Sequence, residues 1–240
     1  MGKIVLKNLL FILLIIPCFT KESHKKEPLY TFKDPPTQYV GFKNKAGKII
    51  IPAIYKSVYT SSKGPFFSPT TKGFQWAFEN ITLVSKDGCY WWIDRTGKIL
   101  YESFFFDNGP DYFHQGLSRI IENEKFGFIN QHGVATVKPQ YDFASPFFLI
   151  NYEGKIDFAA AQGMEDKGGY AYVAQGCWYS YPAYTKFPIA HRRVPPDVYP
   201  EIVGGKWGVI STKGEIVVEL THDSSEAAFD VLKDVVKKKV

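Results

Sequence analysis

The sequence lacks the motifs that mark the common classes of enzyme. Its five histidines are scattered and form no pair at zinc-ligand spacing. It contains neither Gly-x-Ser-x-Gly nor a glycine-rich phosphate loop. Carboxylate pairs such as Glu122 with Glu124, and Asp107 with Asp111, are the residues that a glycoside hydrolase needs, but solvated surface explains them more simply. We therefore expect no catalytic residue, no bound metal and no cofactor.

A strong excess of one charge is also missing. Lys and Arg number 29 against 24 Asp and Glu, for a formal net charge of +5. That excess is too small to indicate a nucleic-acid partner. With 45% apolar and 17% aromatic residues, the composition is that of a folded globular protein.

The apolar run near the N-terminus is too short to span a membrane. Lys3 and Lys7 precede eight apolar residues at positions 9–16, whereas a transmembrane helix needs about 20. A charged start followed by a short apolar run is the layout of a secretory signal. We expect an exported protein, with a leader at residues 1–18 and a polar tether at residues 19–38.

Cys18 directly follows this run and resembles the acylated cysteine of a bacterial lipoprotein signal. Pro17 departs from that pattern, because such signals carry a small residue there. Two outcomes stay open: a lipid anchor at Cys18, or a leader that is cleaved or retained without lipid, which makes the protein periplasmic or secreted. We expect a location in the cell envelope and contact with the membrane only through this anchor.

Glycine recurs in a context that predicts repeated β-hairpins. Four segments run from an apolar or aromatic strand into Asn, Asp or Ser, with a glycine three positions later: residues 40–47, 88–97, 126–133 and 207–214. The turn glycines are Gly47, Gly97, Gly133 and Gly214. Glycine adopts the left-handed conformation that costs other residues about 1 to 2 kcal/mol, and the short polar side chain can cap the turn. Because apolar residues resume after each glycine, every copy reads as a hairpin.

The predicted fold class is all-β, with tandem hairpin or meander units at residues 39–222 stacked in an open or curved array. A β domain with coincidental hairpins is the alternative. After the last unit, residues 223–240 have helical spacing, and Asp223 with Glu226 resembles a capping box. Repeat arrays expose an apolar face at each end, so we expect this C-terminal helix to cover the last unit. A membrane-surface or partner-binding helix is the rival interpretation.

A weaker copy is predicted at residues 173–179, which parallel residues 84–92 because Gly-Cys precedes aromatic residues in both. It has Thr185 where the turn glycine belongs. Cys89 and Cys177 then hold equivalent positions in two units. Such positions in a linear stack lie farther apart than the roughly 7 Å that a disulfide allows between Cα atoms. We expect two buried thiols that are not joined, unless the array closes into a ring.

These repeats resemble those of WG repeat proteins, a bacterial family of tandem β units built around Trp-Gly-Phe-Ile-Asp-x-x-Gly. The likeness covers about residues 39–220 and is strongest at 206–210 and 125–130, while 138–142 match the family's proline-tyrosine element. The resemblance implies a modular and commonly exported β array, and it does not imply catalysis. Trp91 departs from the pattern, because it stands where the glycine of Trp-Gly belongs.

Neighbouring side chains of a strand point to opposite faces, so Trp91 and Trp92 cannot both enter the core. Trp92 shares its repeat position with apolar residues and is expected inside. Trp91 and its counterpart Tyr179 are then candidate exposed platforms, with Tyr90 and Trp178 beside them. The alternative is that these rings fill gaps between irregular units.

The expected function is a non-catalytic scaffold of the cell envelope that binds another protein. Insertions at about residues 60–76 and 150–172 are natural places for specificity, since long loops tend to carry function. A glycan-binding module that uses Trp91 and Tyr179 is the alternative, and a glycoside hydrolase-like enzyme is a weaker third.

Overall fold

The computed structural model describes residues 26–60, 68–70, 78, 80–106, 109–181, 184–190 and 201–238. Most of them form antiparallel β-strands, and a helix ends the chain. The prediction of an all-β fold with a C-terminal helix is confirmed. The leader at residues 1–18, with Cys18, lies outside the described residues.

Four three-stranded antiparallel meanders, here called units 1 to 4, make up the array. Their strands are β1 Tyr30–Lys33, β2 Val40–Lys43 and β3 Ile49–Tyr55 in unit 1; β6 Ile81–Lys86, β7 Cys89–Asp94 and β8 Ile99–Ser103 in unit 2; β11 Leu117–Glu122, β12 Lys125–Asn130 and β13 Ala135–Tyr141 in unit 3; and β17 Tyr170–Tyr181, β19 Glu201–Ser211 and β20 Ile216–His222 in unit 4. β1 lies within the segment assigned from sequence to a polar tether, so unit 1 begins inside residues 19–38.

The remaining elements connect or extend the units. They are β4 Ser57–Thr60, β5 Ser68–Thr70, β9 Phe105–Phe106, β10 Gly109–Pro110, β14 Phe143–Ala144, β15 Leu149–Ile150, β16 Ile156–Asp157, α1 Phe158–Ala161, β18 Tyr184–Phe187 and α2 Ser225–Lys237.

Each unit turns between its second and third strands at the predicted glycine. The N–H groups of Gly47, Gly97, Gly133 and Gly214 donate to the carbonyl three residues earlier over 2.9 to 3.0 Å. The φ angles of these glycines lie between 80° and 88°, in the region that glycine adopts without steric cost. In the first three units the preceding Asn or Asp side chain accepts a second bond from the returning strand, so the turn is fixed by side chain and backbone together.

Consecutive units are joined because the chain leaving one unit pairs with the first strand of the next. β4 pairs with β6, β8 with β11, and β14 with β17. This linkage merges units 2 and 3 into an eight-stranded sheet of order β13-β12-β11-β8-β7-β6-β4-β5, while unit 1 and unit 4 form sheets of three and five strands.

The core lies in the junctions between successive units. Phe42 of unit 1 shares a cluster with Val84 and Ile93 of unit 2, and Trp92 of unit 2 shares one with Ile120 and Ile129 of unit 3. Within each second strand, therefore, one residue faces the following unit and the next faces the preceding unit. The period-2 alternation of strand side chains produces this arrangement directly.

The turn glycines also set how closely the units approach. A Cβ on Gly97 would lie 3.0 Å from Ile51, one on Gly133 would lie 2.5 Å from Ile81, and one on Gly214 would lie 2.9 Å from Val137. In each case the neighbour belongs to an earlier unit. A Cβ on Gly47, in unit 1, would have no atom within 4 Å among the residues that the structure describes, as expected for the first described unit of a series.

Helix α2 packs on unit 4 where a following unit would otherwise lie. Ala228 and Leu232 are fully buried in the same cluster as Val209. The helix is capped by Ser224, whose hydroxyl accepts from the N–H of Ala227. The cap predicted at Asp223 is thus one residue too early, and Asp223 pairs instead with Lys206 at 2.6 Å.

The chain does reverse after the weaker copy predicted at residues 173–179, because β17 pairs antiparallel with β18, with Tyr181 opposite Tyr184. The predicted match of Gly176 to Gly88 is wrong. Gly88 forms the turn between β6 and β7, whereas Gly176 lies inside the long strand β17. The additional turn of this type lies at residues 149–157, where Gly154 donates to the carbonyl of Asn151 over 2.9 Å. Ile-Asn-x-x-Gly-Lys-Ile at residues 150–156 is the sequence signal that could have located it.

Candidate functional site

Glycine at the Trp-Gly position makes room for a bulge in the neighbouring strand. A Cβ on Gly127 would lie 2.5 Å from the carbonyl oxygen of Val137 and 2.6 Å from the nitrogen of Pro139. In this unit two residues of β12 span the same length as four of β13, because Phe126 pairs with Tyr141 but Phe128 with Val137. The two extra residues fold over the glycine. Units 1 and 4 show the same register shift beside Gly41 and Gly208.

Unit 2 lacks this bulge, and that is why it accommodates Trp91. Trp91 pairs with Glu102, and Trp92 pairs with Tyr101 without a register shift between them. With no extra residues folded over β7, a side chain at position 91 has space. The substitution of tryptophan for glycine and the missing bulge are therefore one structural change.

Trp91 lies on the face of the eight-stranded sheet that packs against unit 1, together with Val84 and Ile93. Glu102 pairs with Trp91 on one side and with Ile121 on the other, and paired residues share a face. Trp91, Glu102 and Ile121 therefore lie side by side across three strands. Trp91 packs against the core of unit 1, and Ile121 packs in the core of units 3 and 4. A groove remains between these two contacts.

This groove, here called the Trp91 groove, has a volume of about 510 Å³. It is lined by Trp91, Ile99, Leu100, Tyr101, Glu102, Ile121, Glu122, Asn123, Glu124 and Ala190. Trp91 is half-buried and Ile99 is 46% exposed, so the floor is apolar and open to solvent.

The rim of the Trp91 groove is acidic. Glu102, Glu122 and Glu124 line it, and no basic side chain does so among the residues that the structure describes. Asn123 and Glu124 form the two-residue turn between β11 and β12, with φ angles of 51° and 60°. Such a turn is short and well defined, so it holds the Glu124 end of the rim in place.

The structure does not bring the four predicted aromatic residues together. Tyr90 packs on the opposite side of β7 from Trp91, edge-on to Tyr59 at 5.2 Å and stacked on Phe105 at 5.7 Å. Burial, together with a hydrogen bond to Tyr90, raises the pKa of Tyr59 to about 12. Tyr90 is thus part of a partly buried aromatic cluster.

Trp178 and Tyr179 lie in β17, paired with Val203 and Ile202 of β19. Tyr179 lies in the first strand of unit 4, whereas Trp91 lies in the second strand of unit 2, where Gly208 is the equivalent residue of unit 4. The expectation that Tyr179 is the repeat counterpart of Trp91 is therefore wrong. Trp91 and Tyr179 belong to different sheets, the eight-stranded and the five-stranded one. Tyr179 is half-buried against the core of unit 4.

A buried ion pair that the sequence did not indicate secures the junction beside the groove. Arg119 donates to both carboxylate oxygens of Asp111 at 2.8 Å, and to the carbonyl oxygen of Ala144 at 3.2 Å. Its guanidinium also lies 4.5 Å from the ring centre of Phe104. Both carboxylate oxygens of Asp111 thus accept hydrogen bonds from Arg119. Asp107, which the sequence offered with Asp111 as a carboxylate pair, lies outside the described residues.

A second groove, of about 860 Å³, lies between the β15–β16 hairpin and α2. Its floor includes Ile150, Ile156 and Phe229, and Lys155, Lys233 and Lys237 line its edge. The side of this groove formed by residues 150–156 belongs to the insertion predicted at residues 150–172. The other insertion, at residues 60–76, lies largely outside the described residues.

Cys89 and Cys177 are not joined by a disulfide. Burial raises the pKa of the Cys177 thiol to about 12, which keeps it protonated and poorly nucleophilic. In the part of the chain that the structure covers, no group of three or more His, Cys, Asp and Glu side chains could hold a metal ion. No helix among these residues is both long and apolar enough to cross a bilayer.

Two parts of the chain match the family model described as the WG containing repeat. They are residues 41–69, which run from β2 into β5, and residues 126–148, which run from β12 past β14. No curated protein and no solved structure matches the chain. Both matched segments contain the glycine, the turn and the bulged strand described above. The chain therefore carries WG repeats in its first and third units, which supports its assignment as a WG repeat protein.

Proposed function

We propose that the protein is a non-catalytic interaction scaffold of the cell envelope and that the Trp91 groove binds a segment of a partner protein. The observation that carries the proposal is the aliphatic floor beside a half-buried tryptophan. Protein interfaces combine an apolar centre with a polar rim, and tryptophan is enriched among the residues that contribute most to binding. The acidic rim favours a partner segment with apolar anchors flanked by lysine or arginine.

The test places a photo-crosslinking amino acid at Ile99, which lines the groove, or at Ile216, which holds the same repeat position in unit 4. Both are about half exposed, at 46% and 50%, so they form a matched pair. We expect a protein adduct from position 99 but not from position 216. Glu124→Lys should abolish that adduct without lowering the melting temperature. Equal adducts at both positions, or an adduct that survives Glu124→Lys, would refute the proposal.

Glycan binding is a second candidate, favoured by the indole of Trp91 beside carboxylates in one groove. Sugar rings stack on aromatic faces, and carboxylates accept from their hydroxyls. Quenching of tryptophan fluorescence by cell-wall fragments, present in the native chain and absent in Trp91→Phe, would select this candidate. A glycoside hydrolase needs two facing carboxylates about 5 to 10 Å apart across the scissile bond. Such an enzyme would have to draw them from Glu102, Glu122 and Glu124, the carboxylates that line this groove.

The leader supports export and an anchor at Cys18 as part of the same proposal. Labelled palmitate should be incorporated into the native protein and be lost from a Cys18→Ser variant. Label that persists in Cys18→Ser would exclude the anchor and favour a periplasmic or secreted protein.

A further inference from the structure

Unit 1 is the first unit that the structure describes, so no earlier described unit packs on the face of its sheet that the later units turn toward a preceding unit. Tyr30 pairs with Lys43, Phe32 with Gly41, and Lys43 with Ile49, so these residues share one face of the three-stranded sheet. We call it the leading face. The corresponding residues of unit 3 are Ser118, Ile120, Gly127, Ile129 and Ala135, and they face unit 2.

Lys43 is the residue that sets the leading face apart. Its counterparts Ile93, Ile129 and Ile210 are all 0% exposed and close the junctions with the preceding unit. A lysine at this position would bury an amine in such a junction, which is costly without a partner charge. The leading face is therefore unsuited to stacking against a further WG unit. Two copies that met through it would also oppose like charges.

The segment that contributes Lys43 and Ile49 to the leading face carries only positive charge, although Asp34 directly follows β1. Residues 43–56 contain Lys43, Lys45, Lys48 and Lys56 and no acidic residue, for a charge of +4, whereas the equivalent residues 210–223 of unit 4 contain one lysine and three carboxylates, for 1 minus 3, or −2. Lys45, Lys48 and Lys56 are exposed.

Aliphatic side chains are interspersed with these lysines. Ile49 is 57% exposed, much as its counterparts Ile99 and Ile216 are at 46% and 50%, and Ile54 is 41% exposed. Exposed isoleucine at position 54 is specific to unit 1, since unit 3 has Gln140 and unit 4 has Thr221 at the equivalent position.

We propose that the leading face of unit 1 binds the surface of an anionic lipid bilayer, as a contact separate from the Trp91 groove and additional to any anchor at Cys18. Lysines extend apolar stems along a surface while their amines reach phosphate groups, and isoleucine and tyrosine side chains enter the headgroup region between them. Negative headgroups complement the +4 segment.

The experiment measures backbone hydrogen exchange of the full chain on vesicles of phosphatidylcholine alone, and on vesicles with equal amounts of phosphatidylcholine and phosphatidylglycerol. We expect exchange at residues 43–56 to slow only on the anionic vesicles, and exchange at the equivalent residues 129–142 of unit 3 to stay unchanged. Because the readout is local, partitioning of residues 1–25 into the bilayer does not produce it.

Variants that copy the other units test the cause. Lys45→Gln introduces the residue that unit 3 has at this position, Gln131, and Lys48→Glu introduces the residue that unit 4 has, Glu215. The double variant should therefore fold normally. It removes three positive charge equivalents, and at about fivefold per charge its affinity for anionic vesicles should fall about 100-fold. Ile54→Gln should weaken binding without changing its dependence on salt.

Protection at residues 43–56 that is equal on neutral vesicles, or absent on both kinds, would overturn the proposal. Protection by polyglutamate but not by anionic vesicles would also overturn it, in favour of an acidic polypeptide. None of these outcomes alters the crosslinking result at Ile99, so this proposal and that for the Trp91 groove can fail separately.

Discussion

Gly127→Ala should destabilise the protein far more than a single methyl group suggests. The new Cβ would lie 2.5 to 2.8 Å from three backbone atoms of Val137, Lys138 and Pro139, and backbone cannot rotate away as a side chain can. The bulge of β13 must therefore lift off β12. Overpacking costs about 1 to 3 kcal/mol when side chains can adjust, so we expect about 3 kcal/mol or more here. For a chain of this size that lowers the melting temperature by about 6 to 12 °C.

Thermal and urea unfolding followed by circular dichroism measure this cost. Gly154→Ala is the matched control, because Gly154 has a φ of 74° and a Cβ there would meet no atom of the described part of the chain within 4 Å. Its alanine variant carries conformational strain alone, about 1 to 2 kcal/mol. If Gly127→Ala costs no more than Gly154→Ala, the account of the Trp-Gly position is wrong.

Removal of the bulge should rescue Gly127→Ala. Deleting Lys138 and Pro139 gives β13 the unshifted register that β8 has beside Trp91, which leaves space for a side chain at position 127. We expect the deletion to restore most of the lost stability in the Gly127→Ala background. If the deletion and the substitution are instead additive, the clash is not with the bulge.

Three further predictions follow from the junctions. Gly133→Ala and Gly47→Ala impose the same strain, at φ of 82° and 84°, but only the Cβ at position 133 would meet the preceding unit, so its unfolding free energy should fall by about 1 to 3 kcal/mol more. Asp111→Asn should cost about 3 to 5 kcal/mol by leaving the Arg119 guanidinium buried without its partner charge, and the Asp111→Leu/Arg119→Met double variant should cost less than the sum of its singles in urea unfolding. Burial lowers the pKa of His114 below its ordinary value of 6.5, and Asp111 opposes the shift. As pH falls below 6.5, the unfolded chain therefore binds a proton that the folded chain does not. The stability that neutral, buried His114 contributes is present above pH 6.5 and is lost as pH falls. A His114→Gln variant should show a flatter melting temperature between pH 7.5 and 5.5 than the native chain, and an unchanged slope would contradict that assignment.

The strands and turns were predictable from sequence because their causes are local. A glycine three residues after Asn or Asp specifies the turn, and alternation places Trp92 inside. Residues 173–179 misled the prediction because Gly-Cys before aromatic residues reads the same at Gly88 and at Gly176. Pairing with the distant strand β19 makes Gly176 part of a continuous strand, and local sequence does not report such a pairing.

The Trp91 groove could be predicted only in part. The replacement of a repeated glycine by Trp91 indicated an unusual position, and it is the signal that led to the site. Glu102 joins the groove because β8 pairs with both β7 and β11. Glu122 and Glu124 join it because units 2 and 3 share one sheet. Those contacts depend on the register between units, which no short pattern encodes.

The central claim is that four units stack in chain order, each closed against an earlier one at its turn glycine. Nuclear Overhauser contacts between glycine α-protons and assigned methyl groups test it most directly. The account predicts contacts from Gly97 to Ile51, from Gly133 to Ile81 and from Gly214 to Val137, and no contact from Gly47 to a methyl group of units 2, 3 or 4. Absence of the first three contacts, or a methyl of another unit beside Gly47, would contradict the stacked array.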